Sequence, residues 1–204
     1  MYLTELFLIA STIQIALMSP GPDFMVTLRQ TINYGKKYAY ASSLGIGVAM
    51  VIHVGYTLLG IGLILKQFPY FLDIVRILGA SYLIYLGYGS FRSNSSKIKI
   101  KHEKVLNYSY KKSFFVGFIT DLLNPKATLF FLSIFTAIVS PDTPMYIQSL
   151  YGLYCILANI FWYMFVANIL SRKKNLDLFN KHQNIIEKVI GVLLVLLGIK
   201  LIFS

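Results

Sequence analysis

Two stretches of this chain, residues 38–65 and 145–170, contain no Asp, Glu, Lys or Arg at all. A helix needs ~20 mainly apolar residues to cross the hydrocarbon core of a bilayer, and both stretches exceed that length. They read as membrane-spanning helices. The rest of the composition agrees. The 204 residues are 56% hydrophobic and 13% charged, with a mean hydropathy of +0.65. Soluble domains carry ~25% charged residues, so half the usual charge is missing. The longest basic stretch, residues 93–112, is too short for a soluble domain, and residues 1–204 form one membrane domain.

Further spans are expected at residues 3–18 (extended through a Pro/Gly break), 74–91, 113–139 and 189–203, the first and last of them short. The fold class is therefore an all-α polytopic membrane protein of about six transmembrane helices. The first stretch is read as retained rather than cleaved: Glu5 is its only early charge, and it runs into Ser19-Pro20-Gly21-Pro22-Asp23 instead of a small-residue cleavage site. The single cysteine, Cys155, excludes an intrachain disulfide and any two-cysteine redox site.

Charge predicts orientation. Arg29, Lys36 and Lys37 fall between spans 1 and 2; Arg92, Lys97, Lys99, Lys101, Lys104, Lys111 and Lys112 between 3 and 4; Arg172, Lys173, Lys174, Lys181 and Lys188 between 5 and 6. The other turns hold only Lys66, Asp73 and Arg76, or Asp142. Basic short loops stay in the cytoplasm, which places those three loops inside and the C-terminus outside. The N-terminus is outside if span 1 crosses fully and inside if it is re-entrant. This sorting by loop, with attraction to anionic head groups, accounts for the net charge of +11 and removes nucleic acid as a partner.

An internal repeat is suggested. Spans 1 and 4 each carry a proline break close to an acid, Pro20-Gly21-Pro22-Asp23 and Asp121-Leu122-Leu123-Asn124-Pro125. Spans 3 and 6 open on Arg76-Ile77-Leu78-Gly79 and Lys188-Val189-Ile190-Gly191, then reach Leu86-Gly87 and Leu197-Gly198. A repeat of three spans is odd, so its second copy inserts inverted. Repeat 1 covers about residues 1–92 and repeat 2 about 113–204, joined by the basic stretch 93–112. Broken helices at matching places in inverted halves point to a substrate site at mid-membrane. The bland alternative is that neighbouring helices merely repair prolines, as they do in many membrane helices.

The chemistry-bearing residues cluster at these breaks. Pro20, Gly21 and Pro22 leave backbone groups free, and such backbone is tolerated at membrane depth only against protein or a wet cavity. It offers N–H donors and a helix N-terminus to a carboxylate, and carbonyls to an ammonium. Asn124 and Pro125 offer the same from the other half. Asp23 and Asp121 are carboxylates within spans, each costing at least ~2.5–3.5 kcal/mol to insert when charged. Desolvation suits them to carry a proton or an ammonium; the bland reading of Asp23 is a helix N-cap, and one residue can do both. His53 is a proton relay or a histidine satisfied by a neighbouring carbonyl. Lys126 pairs with Asp121 or Asp23, or snorkels to the interface. Trp162 reads as a packing or interface aromatic. The spacing Ala41/Gly45/Ala49 permits close helix contact, inside the chain or in a homodimer.

The chain resembles the LysE-type family of amino-acid exporters, in its homoserine/threonine (RhtB-like) branch. The resemblance spans nearly the whole chain. It rests on Pro20-Gly21-Pro22-Asp23, Gly35, Gly45 with Gly47 and His53, and Gly79-Ala80-Ser81-Tyr82-Leu83 leading to Leu86-Gly87. It continues through Asn124-Pro125-Lys126-Ala127, Phe130-Phe131 and Trp162. It implies export of amino acids or small derivatives, of the homoserine, threonine, leucine or lysine type, driven by the proton gradient across a bacterial inner membrane. It also implies that the two proline motifs mark the transport site, that Gly45, Gly79, Tyr82 and Gly87 are structural, and that no cofactor is required. Asp121 is less regular in the family than Asp23. Rival readings are an exporter of another small metabolite or a divalent metal, a membrane-embedded enzyme, and a lipid flippase. Metal export would want clustered His, Asp or Cys, whereas the three histidines are scattered. No intramembrane protease site is evident, so the chain reads as a carrier, not an enzyme.

Overall fold

The computed structural model describes residues 1–67, 71–92, 108–140 and 142–202, of which 61–67, 71–76, 79, 137 and 201 are described as backbone only. These residues form eight α-helices and no strand. Helices α1 (Tyr2–Met18) and α2 (Pro22–Tyr34) are two arms of one element, bent by 55° at the first proline break. Then follow α3 (Lys36–Gln67) and α4 (Phe71–Arg92). The second half repeats the order: α5 (Tyr110–Leu122) and α6 (Pro125–Ile138) are bent by 56°, and α7 (Met145–Leu170) and α8 (Lys173–Ile202) complete it.

The breaks follow from proline chemistry. Pro20 cannot donate to the Ala16 carbonyl, nor Pro22 to that of Met18, so α1 ends there. Pro22 and Pro125 then start α2 and α6 at the first helical position, where a missing N–H costs nothing.

Helices α3, α7 and α8 are long and apolar enough to cross a membrane, as is each bent pair taken as one span. The 22 residues of α4 add a helix of ~33 Å, also long enough to cross. Large apolar side chains face outward along their length: Leu44, Val48 and Val51 on α3, Leu150, Leu157 and Phe161 on α7, Val189, Val192 and Leu196 on α8. Water would not tolerate so continuous an apolar surface; lipid requires it. The protein is an all-α, multi-pass membrane protein.

The last helix corrects one expectation. Residues 172–188 are not a loop, because α8 begins at Lys173. Leu176, Gln183, Glu187, Ile190 and Leu194 are buried at helical spacing, and that stripe holds the basic segment against the bundle. Arg29 likewise sits in α2, and the connection between α2 and α3 shrinks to Gly35, whose φ of 95° favours glycine. Lys97, Lys99, Lys101 and Lys104 lie outside the described residues, as do the side chains of Lys66, Asp73 and Arg76.

Two close helix crossings tie the bundle. At one, Gly45 of α3 and Gly117 of α5 rest on the backbone of Phe114 and Ser42, leaving no space for a Cβ. The small-residue stripe at Gly45 is thus used inside the chain. At the other, Gly87 of α4 and Gly191 of α8 face each other, and a Cβ on either would lie 2.6 Å from the partner's carbonyl oxygen. Tyr82 is half-buried on α4 and stacks near Tyr85; the surroundings of Gly79 lie outside the described residues.

Candidate functional site between the two breaks

The bends bring the end of α5 and the starts of α2 and α6 together in the interior. Asp23 is the second residue of α2 and is buried. It is not the N-cap, which is Gly21; its carboxylate lies in the first turn, where helix N–H groups favour negative charge. Its Oδ2 accepts a 2.8 Å hydrogen bond from Asn124 Nδ2. Asn124 is the N-cap of α6 and its Oδ1 accepts from the Lys126 backbone N–H at 3.0 Å. One side chain therefore caps one half and holds the acid of the other.

Asp121, in the last turn of α5, is fully buried. His53 reaches it from α3: Nε2 lies 2.9 Å from the Asp121 main-chain oxygen and 3.5 Å from its Oδ2. A carbonyl only accepts, so Nε2 carries a proton, and Nδ1 is free to accept from the Tyr56 hydroxyl at 2.6 Å. The geometry supplies the neighbouring carbonyl of the second reading of His53, and that carbonyl belongs to Asp121. The Asp23 and Asp121 side chains line one cavity.

Lys126 neither snorkels nor pairs with an acid: among the described residues no ion pair within 4 Å joins it to Asp23 or Asp121. Its Nζ turns inward to the carbonyl oxygens of Ala16 (3.4 Å) and Ser19 (3.3 Å), the end of α1 that Pro20 leaves short of donors. Gly21 makes room, because a Cβ there would sit 3.2 Å from Nζ.

Two spaces adjoin these groups. An inner cavity of about 40 Å³ is lined by Asp23, Asp121, Asn159 and Tyr163, with an apolar wall that includes Phe130 and Phe131. An outer cleft of about 400 Å³ is lined by both breaks, Pro20–Pro22 and Asn124–Lys126, and by Tyr85, Tyr88 and Glu187. Among the described residues, only Gly21, Asn124 and Lys126 border both. The inner cavity is rich in acceptors: Asp23 Oδ1, both Asp121 carboxylate oxygens and Asn159 Oδ1 are buried with no donor among the described residues. Unsatisfied buried acceptors are costly, and a cavity that concentrates four of them suits a proton or an ammonium group.

Pro20–Asp23, Asp121 and Asn124–Lys126 make up the breaks and His53 reaches them from α3, whereas Gly45 and Gly87 lie at helix crossings and Tyr82 on α4. Asn159 and Tyr163 were not anticipated, although an asparagine amid an uncharged span is itself a signal. Nor was Glu5, whose carboxylate accepts from Ser140 N, Thr143 and Tyr151 at 3.0–3.1 Å and ties α1 to α7 far from the breaks. Buried Glu187, bonded by Gln183 at 3.0 Å, was hidden by the basic residues around it.

Comparison with known proteins places this arrangement. The chain is 28% identical over 204 residues to the threonine efflux protein of Escherichia coli K12, covering 98% of each. It is 29% identical over 191 residues to the membrane protein YrhP of Bacillus subtilis, covering 89% of this chain and 90% of the relative. It is 24% identical over 202 residues to the membrane protein YahN of Escherichia coli K12, covering 99% and 91%. No solved structure matches. The LysE type translocator profile matches residues 14–204, nearly the full length, and the chain belongs to that family.

Proposed function

We propose that this protein is a secondary transporter that exports amino acids or small amino-acid derivatives from the bacterial cytoplasm. The observation that carries the reading is the buried Asp23/Asp121 pair, whose donor-poor oxygens line a cavity between two broken helices. Membership of a translocator family and likeness to threonine efflux proteins support the cargo class. Residues 1–92 and 113–204 act as inverted halves, which rock about the site so that it opens alternately to each side. The basic helix ends lie in the cytoplasm of an inner-membrane protein, with the C-terminus outside.

The acid pair suits both cargo and coupling. It receives the substrate ammonium in one phase and a proton in the return phase, with His53 holding the Asp121 backbone in place. One charge moving through ~150 mV supplies about 3.5 kcal/mol, enough for a gradient of about a few hundredfold. Purified protein in liposomes, loaded with labelled L-threonine or another amino acid, tests the reading: efflux is expected to accelerate when a pH gradient is imposed. Absence of flux for every amino acid tried would refute it; flux indifferent to the gradient would remove the proton coupling alone.

A further inference from the structure

We propose that Lys126 is the specificity-determining residue that reads the α-carboxylate of the substrate, so that the carrier selects zwitterionic amino acids over amines. The inference rests on the export reading above and assigns the second charge of the same site.

Lys126 stands on the partition between the acid-lined cavity and the outer cleft. Asp23 and Asp121 line the inner cavity only, Lys126 lines both spaces, and the cleft of about 400 Å³ admits the rest of a small amino acid. A substrate whose nitrogen reaches Asp23 and Asp121 therefore leaves its carboxylate at the partition, beside Gly21, Asn124 and Lys126, where Lys126 brings the positive charge. The lysine and the acids line one space without forming an ion pair, so a zwitterion fits between charges that do not already neutralise each other.

Two further observations argue against a purely structural lysine. It is the second residue of α6, where the helix N-terminus disfavours a cation. Its present bonds are also long, 3.3 and 3.4 Å, to two neutral carbonyls. A carboxylate offers the same ammonium shorter, charge-assisted bonds.

The test is competition in proteoliposomes. Uptake of the best-transported amino acid from a panel headed by L-threonine is measured against its amide and its decarboxylated amine. The wild-type protein is expected to prefer the free acid by about tenfold or more, as sites that bond a substrate group do. Lys126→Gln, which keeps N–H donors for Ala16 and Ser19, should lose that preference, and Lys126→Arg should retain most of it. An unchanged preference in Lys126→Gln overturns the inference, and so does a wild type that takes the amide as readily as the acid, even if the variant does not assemble. If the wild type moves no amino acid, the export reading itself falls and the inference with it.

Discussion

The two proline breaks share a backbone and differ in chemistry. Each opens on a proline at the first helical position, and the bends of 55° and 56° are nearly equal. In register, Gly21 corresponds to Asn124 and Asp23 to Lys126, so equivalent positions carry opposite charge. Each break is also braced by the other half. Lys126 holds the Ala16 and Ser19 carbonyls at the end of α1, and His53 holds the Asp121 carbonyl at the end of α5. The lesson is that the halves repeat a structural device rather than a site. The candidate site takes its polar groups from both breaks.

The strongest way to break this comparison is to remove the charge at the position where the two breaks carry opposite signs. Asp23→Asn keeps the bond count of the site but deletes one of its two acids, and transport is expected to fall by about a hundredfold or more, because a buried charge-assisted contact is lost. Exchanging the pair, Asp23→Lys with Lys126→Asp, should not restore flux. The Asp121 carboxylate and its His53 brace remain on one side, so the exchanged charges meet a site that has not been exchanged. Recovery to wild-type rates in the liposome assay would mean that the two positions are interchangeable.

Next comes a change at the position where the two caps differ. Gly21→Asn gives α2 the cap that α6 already has, and asparagine caps better than glycine by a few tenths of a kcal/mol. Yet a Cβ at Gly21 meets Lys126 Nζ at 3.2 Å. Helix stability should therefore rise slightly while transport drops about tenfold, since the ammonium must give way and the fall exceeds what so small a stability change produces. Thermal unfolding in detergent, set beside flux, separates the two effects.

Much of this was legible beforehand. The prolines marked both bends, since the rule that proline removes a donor is local and needs no tertiary context. Asp23, Asp121 and Lys126 stood out because charge within an apolar span is costly wherever it sits. What the sequence concealed was anything decided by packing. The start of α8 has the charge of a loop in its lysines, whereas Leu176, Gln183, Glu187 and Ile190 form a buried stripe. The direction of Lys126 was equally hidden: only the fold shows that the end of α1, left short of donors by Pro20, lies within its reach. Tyr163 reaches the cavity because α7 packs against α2, a contact that a uniformly apolar helix does not announce.

Asn124→Ala is a smaller perturbation that strikes both breaks at once. It removes the cap of α6 and the 2.8 Å donor to Asp23 Oδ2. The cap is worth ~1 kcal/mol, and the buried carboxylate oxygen left without a partner adds ~1–3 kcal/mol. Unfolding should show a destabilisation of that order. Asn124→Asp keeps the cap but sets a third carboxylate against the acid pair, so it should preserve helix content and still impair flux. An Asn124→Ala variant as stable as the wild type would show that neither the cap nor the bond to Asp23 contributes.

The smallest effect is expected at the brace of the second break, and it isolates orientation from charge. Tyr56 touches His53, not the acids: its hydroxyl donates to Nδ1 at 2.6 Å while Nε2 serves the Asp121 carbonyl. In Tyr56→Phe the ring keeps its edge-on contact with the imidazole and loses only the hydrogen bond. One such bond is worth ~1 kcal/mol, and a histidine without it is free to place its proton on either nitrogen. Half of those choices turn an acceptor toward the Asp121 carbonyl. Transport should fall about two- to fivefold with the fold intact, whereas His53→Phe, which removes the donor altogether, should cost more. If Tyr56→Phe matches the wild type while His53→Phe is crippled, the carbonyl alone orients the histidine, and the brace of the second break is a single bond.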